Sequence, residues 1–577
     1  MSVSDDFISL LQRDVCGDPV EWLENNVYLD SIVSPNAPGP LSLRNQPWAY
    51  QIIRDFVDQS IQQVTLCTGA QTGKTLLMQL AYLLLCKFNP QPTIIAFPDD
   101  SLAERFIKTR LKPLIKCNPE FAAKLPPPQR VGQKSMLFME GMPTFYTGCR
   151  SPQKLCSMPA AYILLDECAK LVKTKSTEAH PYKLLSERNK SFGLHKTIEA
   201  STPASESDPF WESLGNSSWS KFKMPCPWCG EMMEFVFDKD HVKWTGETQE
   251  EVMKSTRIVC TNCCCEIDDN MRREMMKHGK WVASNPDHEK GHTGYHINSL
   301  YSCWTSIGEV AWEFVKANRS VMRVEALHNF YNSWLALPWV EYKTNVTEED
   351  VKGLIDLNHY RGSLPADMLY LAMGCDPGQS QTHYVVAAVC QGGVVKVVDW
   401  GMLPSISSAK GKHGLQWFLE NTTYEFNGKP YKVDICYCDS GYMTGQVYDE
   451  ARLGLPGLVN PTKGSGATGT YGRSTVKNND LDLYIYSDFS LKVELYQSMF
   501  NNHEVVLPRD TDKDLIAGLS GQTLLVDPNG KRHWKKVDQD HLGDCLKLCV
   551  LSMWIACENE ETRARLRPNI EFNKAAS

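Results

Sequence analysis

The feature that most constrains this chain is a strand-like run, a glycine-rich turn and a helix-like run in direct succession. They are VTLCT, GAQTGKT and LLMQLAYLLLCKF, spanning Val64 to Phe88. β-Branched residues on one side of the turn and Leu, Met and Ala on the other predict a buried strand feeding a helix. In that arrangement the backbone N–H groups of the turn converge on the helix start, where a phosphate fits. Gly73-Lys74-Thr75 supplies the end of the phosphate-binding pattern, with Gly69, Gln71 and Thr72 completing the turn. Lys74 is placed to reach β- and γ-phosphates and Thr75 to ligate Mg2+. The first glycine of the usual pattern is replaced by Thr68, and Gly69 is expected to serve the turn instead.

A partner motif lies downstream. Tyr162 to Leu165 is apolar and ends in Asp166-Glu167. An aspartate at a strand end can hold Mg2+, and the following glutamate can orient or deprotonate an attacking water. IEASTPAS then puts Ser201 and Thr202 after a short apolar run, where a hydroxyl can sense the γ-phosphate. RNQPWAYQ offers Gln46, Trp48 and Tyr50 as an adenine-reading patch. Strand runs such as TIIAF and YILLD alternate with helical stretches, which predicts a doubly wound α/β sheet and a P-loop ATPase.

Two C-x2-C pairs follow, Cys226/Cys229 and Cys260/Cys263, with 30 residues between them. Four thiolates can close a tetrahedral Zn2+ site with no open position, so the expected role is structural. Cys264 and Cys265 leave the fourth ligand open by a residue. Most of the other cysteines, of 21 in total, lie in apolar runs such as ICYC and LKLCVL and read as small hydrophobes in a reducing compartment.

The last third carries three acids beside the right elements. Asp376 ends an apolar run (LYLAMGCDPG), Asp439 ends another (VDICYCDSGY), and Asp544 opens a late amphipathic helix (DQDHLGDCLKL) with Asp540 one turn earlier. Two acids at neighbouring strand ends and a third on a packed helix describe an RNase H-like site for two Mg2+ or Mn2+ ions. His541 reads as a hydrogen-bonded surface histidine more readily than as an auxiliary.

A length of 577 residues requires two or three domains. The sequence places an N-terminal arm at 1–40, a P-loop ATPase domain at 41–223 and a zinc-binding and helical subdomain at 224–345. A linker at 346–367, an RNase H-like nuclease domain at 368–557 and a C-terminal tail at 558–577 follow. No apolar run is long enough to span a bilayer, so no membrane partner is expected. A net charge of −8 excludes a generally basic binder. DNA contact is left to local patches at 105–116, 410–413 and 531–536, each of which alone reads first as solvated surface.

Taken together, these motifs resemble the lambda-type family of tailed-phage terminase large subunits over nearly the whole chain. The similarity rests on GAQTGKT, SPQKLCSMPAAYILLDE, EASTP, MPCPWCGE, YHINSLYS (Tyr295 to Ser302), CDPG and DSGYMTGQVYD. The resemblance implies an ATP-driven motor that pumps double-stranded DNA into a procapsid and an endonuclease that cuts concatemers. It also implies a small terminase subunit and a portal protein as partners, a homo-oligomer while packaging, and work in the cytoplasm of the infected bacterium. Where that family often carries an arginine before Walker B, this chain has Ala160-Ala161, leaving Arg105 and Arg110 as arginine-finger candidates. Two other classes share such motifs. A cellular helicase-nuclease of DNA repair or phage defence would displace strands. A scaffold protein with decayed motifs is disfavoured by the intact Lys74, Glu167 and three acids.

Overall fold

The computed structural model describes residues 17–35, 37–126, 136–137, 139–150, 155, 159–171, 180–205, 208–320, 322–339, 345–408, 413–466, 470–476, 481–526, 532–535 and 540–567. Most of the SPQKLCSMP approach to Walker B lies outside the described residues, as do Lys410, Lys412, Lys531, Lys536 and the outer parts of the arm and tail. The chain divides into two compact units, Met1–Glu313 with His328–Val340, and Phe314–Leu327 with Glu341–Ser577.

In the first unit, β1 (Gln63–Thr68), β2 (Thr93–Phe97), β3 (Thr144–Gly148), β4 (Tyr162–Asp166) and β5 (Lys196–Ser201) are parallel, in the order β1-β5-β4-β2-β3. Every residue of β2 and β4 is buried, as a parallel sheet covered on both faces requires. Helix α1 (Lys74–Phe88) follows β1 and is buried continuously from Leu77 to Cys86. Its lack of a polar face reflects packing on all sides rather than amphipathic docking. Because β5 lies between β1 and β4, it touches both the strand before the glycine-rich turn and the strand ending in Asp166.

The same sheet runs on past β1. β11 (His292–Ile297) pairs with β1 in parallel, and β6 (Ser220–Pro225) pairs with β11. β7 (Met232–Met233) and β10 (Lys280–Ala283) flank β6 on antiparallel registers. A small separate sheet joins Val242–Lys243, β8 (Arg257–Val259) and β9 (Glu266–Ile267), and helix α2 (Asp269–Met276) follows it. The segment read from sequence as a zinc-binding subdomain thus supplies strands to the sheet of the glycine-rich turn. A pairing between strands more than 220 residues apart leaves no local signal, because register depends on contacts made only after folding.

The second unit is built on β12 (Met368–Pro377), β13 (Thr382–Cys390), β14 (Val395–Leu403), β15 (Ile435–Asp439) and β16 (Val459–Ser465), in the order β14-β13-β12-β15-β16. β12, β13 and β14 form an antiparallel meander, and β15 and β16 run parallel to β12. The turn at Gly392-Gly393 has φ of 77° and 76°, as the hairpin reading of that dipeptide expects. Alternate residues serve two cores: Ala372, Val385 and Val397 face one, and Leu371, Met373 and Val386 the other. Helix α3 (His541–Ala556) packs in the first of these. The polar stretch read as a linker belongs to this unit. Val351 and Leu354 are buried in its core and Ile355–Asp356 pairs with Val505–Pro508.

Candidate functional sites

Ile297, Ser299, Ser302 and Ser333 hold the glycine-rich turn from outside. The Gly69 N–H donates to Ile297 O (2.7 Å) and the Ala70 N–H to Ser333 O (2.5 Å). Ser299 Oγ donates to Ala70 O (2.9 Å), Ser302 Oγ to Gln71 O (2.6 Å), and Thr72 Oγ1 to Gly69 O (2.7 Å). This packing explains the displaced glycine. A Cβ on residue 69 would sit 2.5 Å from Trp334 O and 2.9 Å from Ser299 N, which no side chain tolerates. Thr68 is still in the strand, where a side chain fits. Gly69→Ala is therefore expected to weaken ATP binding by at least about tenfold, the equivalent of about 1.4 kcal/mol. A binding titration giving the parental affinity would refute that reading of the turn.

Lys74 lies at the start of α1, its ammonium 3.1 Å from Asp166 Oδ1 and hydrogen-bonded to Glu167. Burial works against the ammonium, but Asp166 and Glu167 outweigh it and hold its pKa above the usual lysine value. Glu167 is lowered despite burial by Lys74 and by Lys170, 2.6 Å away. Glu167 also has a left-handed backbone, φ 58°, a conformation costing a non-glycine residue on the order of 1 kcal/mol. Its N–H donates to Ala200 O in β5 (2.8 Å), which brings the end of β5 against it. Ser201 Oγ there accepts the Ala169 N–H (3.2 Å) and donates to Thr202 O (2.7 Å).

Gly73, Thr75, Leu76 and Gln79 line a cavity of ≈ 410 Å³ together with Gln46, Arg110 and Cys303. Of the residues offered from sequence as an adenine-reading patch, Gln46 lines this cavity, whereas Trp48 is wholly buried in the core. Of the two arginine candidates, Arg110 lines this cavity and donates to Val33 O (3.3 Å), while Arg105 lies outside the lining. Arg110 sits on a π-helical turn, Ile107–Leu111, that no sequence period revealed.

The four cysteines converge. Their Sγ atoms all lie within 4.8 Å of one another, with 3.7 Å between Cys226 and Cys263 and 3.8 Å between Cys229 and Cys260. Metal–sulfur bonds of about 2.3 Å in a tetrahedron give edges of ~3.8 Å, so the donor set fits Zn2+. The two knuckles repeat one backbone pattern. Cys226 N–H donates to Glu231 O and Gly230 N–H to Cys226 O; Cys260 N–H donates to Cys265 O and Cys264 N–H to Cys260 O. Each turn closes on a left-handed residue, Gly230 (φ 74°) and Cys264 (φ 59°). The repeat puts Cys263, not Cys264 or Cys265, in the fourth position.

In the second unit, the β12–β15 register pairs Cys375 with Cys438, so Asp376 and Asp439 follow on adjacent strand ends. Burial raises the Asp439 carboxyl, and Asp376 and Asp544 raise it further. Asp544 lies in the first turn of α3. Burial pushes its carboxyl up, but Lys547 and Lys492 outweigh this and hold it below the usual range. The helix reaches the strand because of Gly374: a Cβ there would lie 1.9 Å from Cys545 O. Asp540 immediately precedes the helix, 3.3 Å from Lys492 Nζ and from Gln522 Nε2.

Among the described residues, only the cysteines bring three or more metal-ligating atoms that close. The three carboxylates are spaced more widely, with Asp376 hydrogen-bonded to His541 Nδ1 (2.7 Å) and Asp544 to Lys547 (2.6 Å). His541 is indeed half-exposed and hydrogen-bonded, but its partner is a candidate catalytic acid. Sequence reasoning passed over His383, which faces Asp376 across the hairpin and stacks on His541 at 4.5 Å. It also passed over Lys547, whose signal was present as a lone lysine three residues after Asp544 in an apolar helix.

Fold and site thus define a P-loop ATPase fold followed by an RNase H-like nuclease fold in one chain. The profile of the phage terminase large subunit gpA ATPase domain matches residues 35–281, and that of the gpA endonuclease domain matches 292–564. Together they cover most of the chain, which belongs to the lambda-type family of phage terminase large subunits. The chain is 22% identical over 404 residues to the terminase large subunit of Enterobacteria phage P21, covering 66% of this chain and 61% of that protein. It is 23% identical over 382 residues to that of Escherichia phage lambda, covering 62% and 58%. The matched part thus spans about six tenths of the length of these relatives. The crystal structure of the HK97 bacteriophage large terminase aligns over 93% of this chain and 99% of its own, at 12% identity and a TM-score of 0.36.

Proposed function

We propose that this protein drives double-stranded DNA into phage procapsids by hydrolysing ATP and cuts concatemeric DNA in a metal-dependent reaction. The observation that carries the reading is the pairing, in a chain of this family, of Lys74 with Asp166 and Glu167 in one unit and of Asp376 with Asp439 on adjacent strand ends in the other. A small terminase subunit, a portal protein and further copies of the chain are the proposed partners, in the cytoplasm of the infected bacterium. Among the described residues no helix is long and apolar enough to cross a membrane. The proposed division of labour gives ATP hydrolysis to the first unit and DNA cleavage to the second.

In the ATPase, the N–H groups at the start of α1 and Lys74 would bind the β- and γ-phosphates, with Thr75 placed to ligate Mg2+ and Asp166 to hold it through water. Glu167 orients and deprotonates the attacking water. Ser201 and Thr202, beside Glu167 at the end of β5, register the γ-phosphate. In the nuclease, Asp376, Asp439 and Asp544 would hold Mg2+ or Mn2+, which would supply Lewis-acid stabilisation of the charge that develops during cleavage. DNA is gripped through its backbone, since a translocating motor cannot depend on base sequence.

Packaging of linear DNA into purified procapsids with ATP and the small subunit tests the whole reading. The expected result is ATP-dependent protection of genome-length DNA from added nuclease. Strand displacement without protection would instead identify a helicase-nuclease.

Cys226, Cys229, Cys260 and Cys263 hold one structural Zn2+ in this proposal. Elemental analysis of reduced protein should give close to one zinc per chain, and Cys226→Ser should lose both the zinc and thermal stability. A zinc content near zero in the parent protein would remove the metal from the account.

A further inference from the structure

The YHINSLYS segment, Tyr295 to Ser302, touches both the glycine-rich turn and the cysteine lobe. Its side chains and backbone face two ways. Toward the glycine-rich turn, Ile297 O accepts the Gly69 N–H, and the Ser299 and Ser302 hydroxyls hold the carbonyls of Ala70 and Gln71. The next residue, Cys303, lines the nucleotide cavity and accepts a hydrogen bond from Gln46 Nε2 (3.5 Å).

Toward the cysteine knuckles, Asn298 Nδ2 donates to Phe235 O (2.7 Å). The buried Tyr301 hydroxyl accepts the Phe235 N–H (2.8 Å) and donates to Phe222 O (2.7 Å). Phe222 belongs to β6, which ends one residue before Cys226, and Phe235 lies two residues beyond β7. From the other knuckle, α2 starts two residues after β9 and sends in Arg272, whose fully buried guanidinium donates to Leu300 O (2.7 Å) and Thr305 O (2.8 Å). β6 before the first knuckle, Phe235 just beyond β7 and the helix after the second knuckle therefore bond Asn298, Leu300 and Tyr301, while Ile297, Ser299 and Ser302 of the same stretch clasp the turn.

We propose that the cysteine lobe is a brace for the glycine-rich turn, so that zinc bound at Cys226, Cys229, Cys260 and Cys263 sets the affinity of the nucleotide site through Tyr301, Ser299 and Ser302. The inference rests on the zinc and ATPase assignments above. Its physical basis is preorganisation. A turn whose carbonyls are already held out of the phosphate position loses less freedom when nucleotide binds. Ser299, Ser302 and Tyr301 are positioning residues, because they hold the turn and touch no reacting atom.

The test uses the full-length protein, a fluorescent ATP analogue and elemental analysis. Tyr301→Phe keeps the ring and removes the hydroxyl. It should retain close to one zinc per chain while the dissociation constant and KM for ATP rise about fivefold, the worth of one buried hydrogen bond. Its kcat at saturating ATP and its metal-dependent DNA cleavage should stay at parental values. Ser302→Ala should behave alike, with Ser302→Thr restoring affinity, and chelation of zinc from the parent should weaken ATP binding at least as much. Parent protein without zinc would overturn the zinc assignment and this inference together. Zinc-loaded parent whose ATP affinity is unmoved by chelation, by Tyr301→Phe and by Ser302→Ala would overturn the brace alone.

Discussion

Asp376→Asn, Asp439→Asn and Asp544→Asn should each reduce divalent-dependent cleavage of double-stranded DNA by at least a few hundredfold while leaving ATP hydrolysis intact. Each substitution removes a charged oxygen ligand from a site that must stabilise a highly charged transition state, an effect worth several kcal/mol. At ~1.4 kcal/mol per tenfold, that amounts to the stated loss. Asp439 stands on a strand end beside Asp376 and is raised by burial and by its acidic neighbours, so a bound cation would relieve crowding that the fold has built in. Asp544 differs, being already balanced by Lys547 and Lys492. Asp540→Asn should matter far less, because the acids that act on the Asp439 carboxyl are Asp376 and Asp544, and Asp540 stands before the helix begins. Plasmid nicking and linear-duplex cleavage across a Mn2+ series would measure all four. If the Asp540 variant is dead and the Asp544 variant active, the third ligand moves by one helical turn. Parental cleavage in the three named variants would remove the nuclease site altogether.

Lys74→Ala and Glu167→Gln should abolish ATP turnover and spare the nuclease. Lys74 is the cation between Asp166 and Glu167, and its loss leaves Asp166 without its counter-charge and Glu167 with Lys170 alone, besides removing the proposed phosphate contact. Glu167→Gln keeps the shape but cannot take a proton, and a general base of this kind contributes roughly 10²- to 10⁴-fold. The two variants should separate in binding. Lys74→Ala should lose affinity for ATP, whereas Glu167→Gln should hold ATP and fail to hydrolyse it. Steady-state phosphate release and a nucleotide titration distinguish these outcomes. Normal turnover by the Glu167→Gln protein would strip that residue of its role.

Much of both sites was legible because each motif is local. A strand, a glycine-rich turn and a helix are contiguous from Val64 to Phe88, and Gly73-Lys74-Thr75 lies where the helix begins. Asp166, Asp376 and Asp439 each end a buried apolar run and each does lie in the last two residues of a strand. The knuckles were readable from spacing alone, since two residues between cysteines is the reach of one metal-binding turn. Trp48 misled because an aromatic beside a motif looks the same in sequence whether it faces a ligand or the core.

Sequence by itself determined which chemistry each stretch could perform: the phosphate turn, the acids at strand ends and the paired thiols depend on residue type and short spacing. The tertiary structure alone decided how those pieces are held. Parallel pairing of β11 with β1 brings Ser299 and Ser302 onto the turn, and the approach of Trp334 O makes Gly69 obligatory. Contact at Gly374 sets α3 against the strand of Asp376, and the folded helix carries Lys547 onto Asp544. These contacts join residues that are distant along the chain or depend on side-chain direction. They become specified only when register and packing choose among alternatives that local sequence leaves equal in energy.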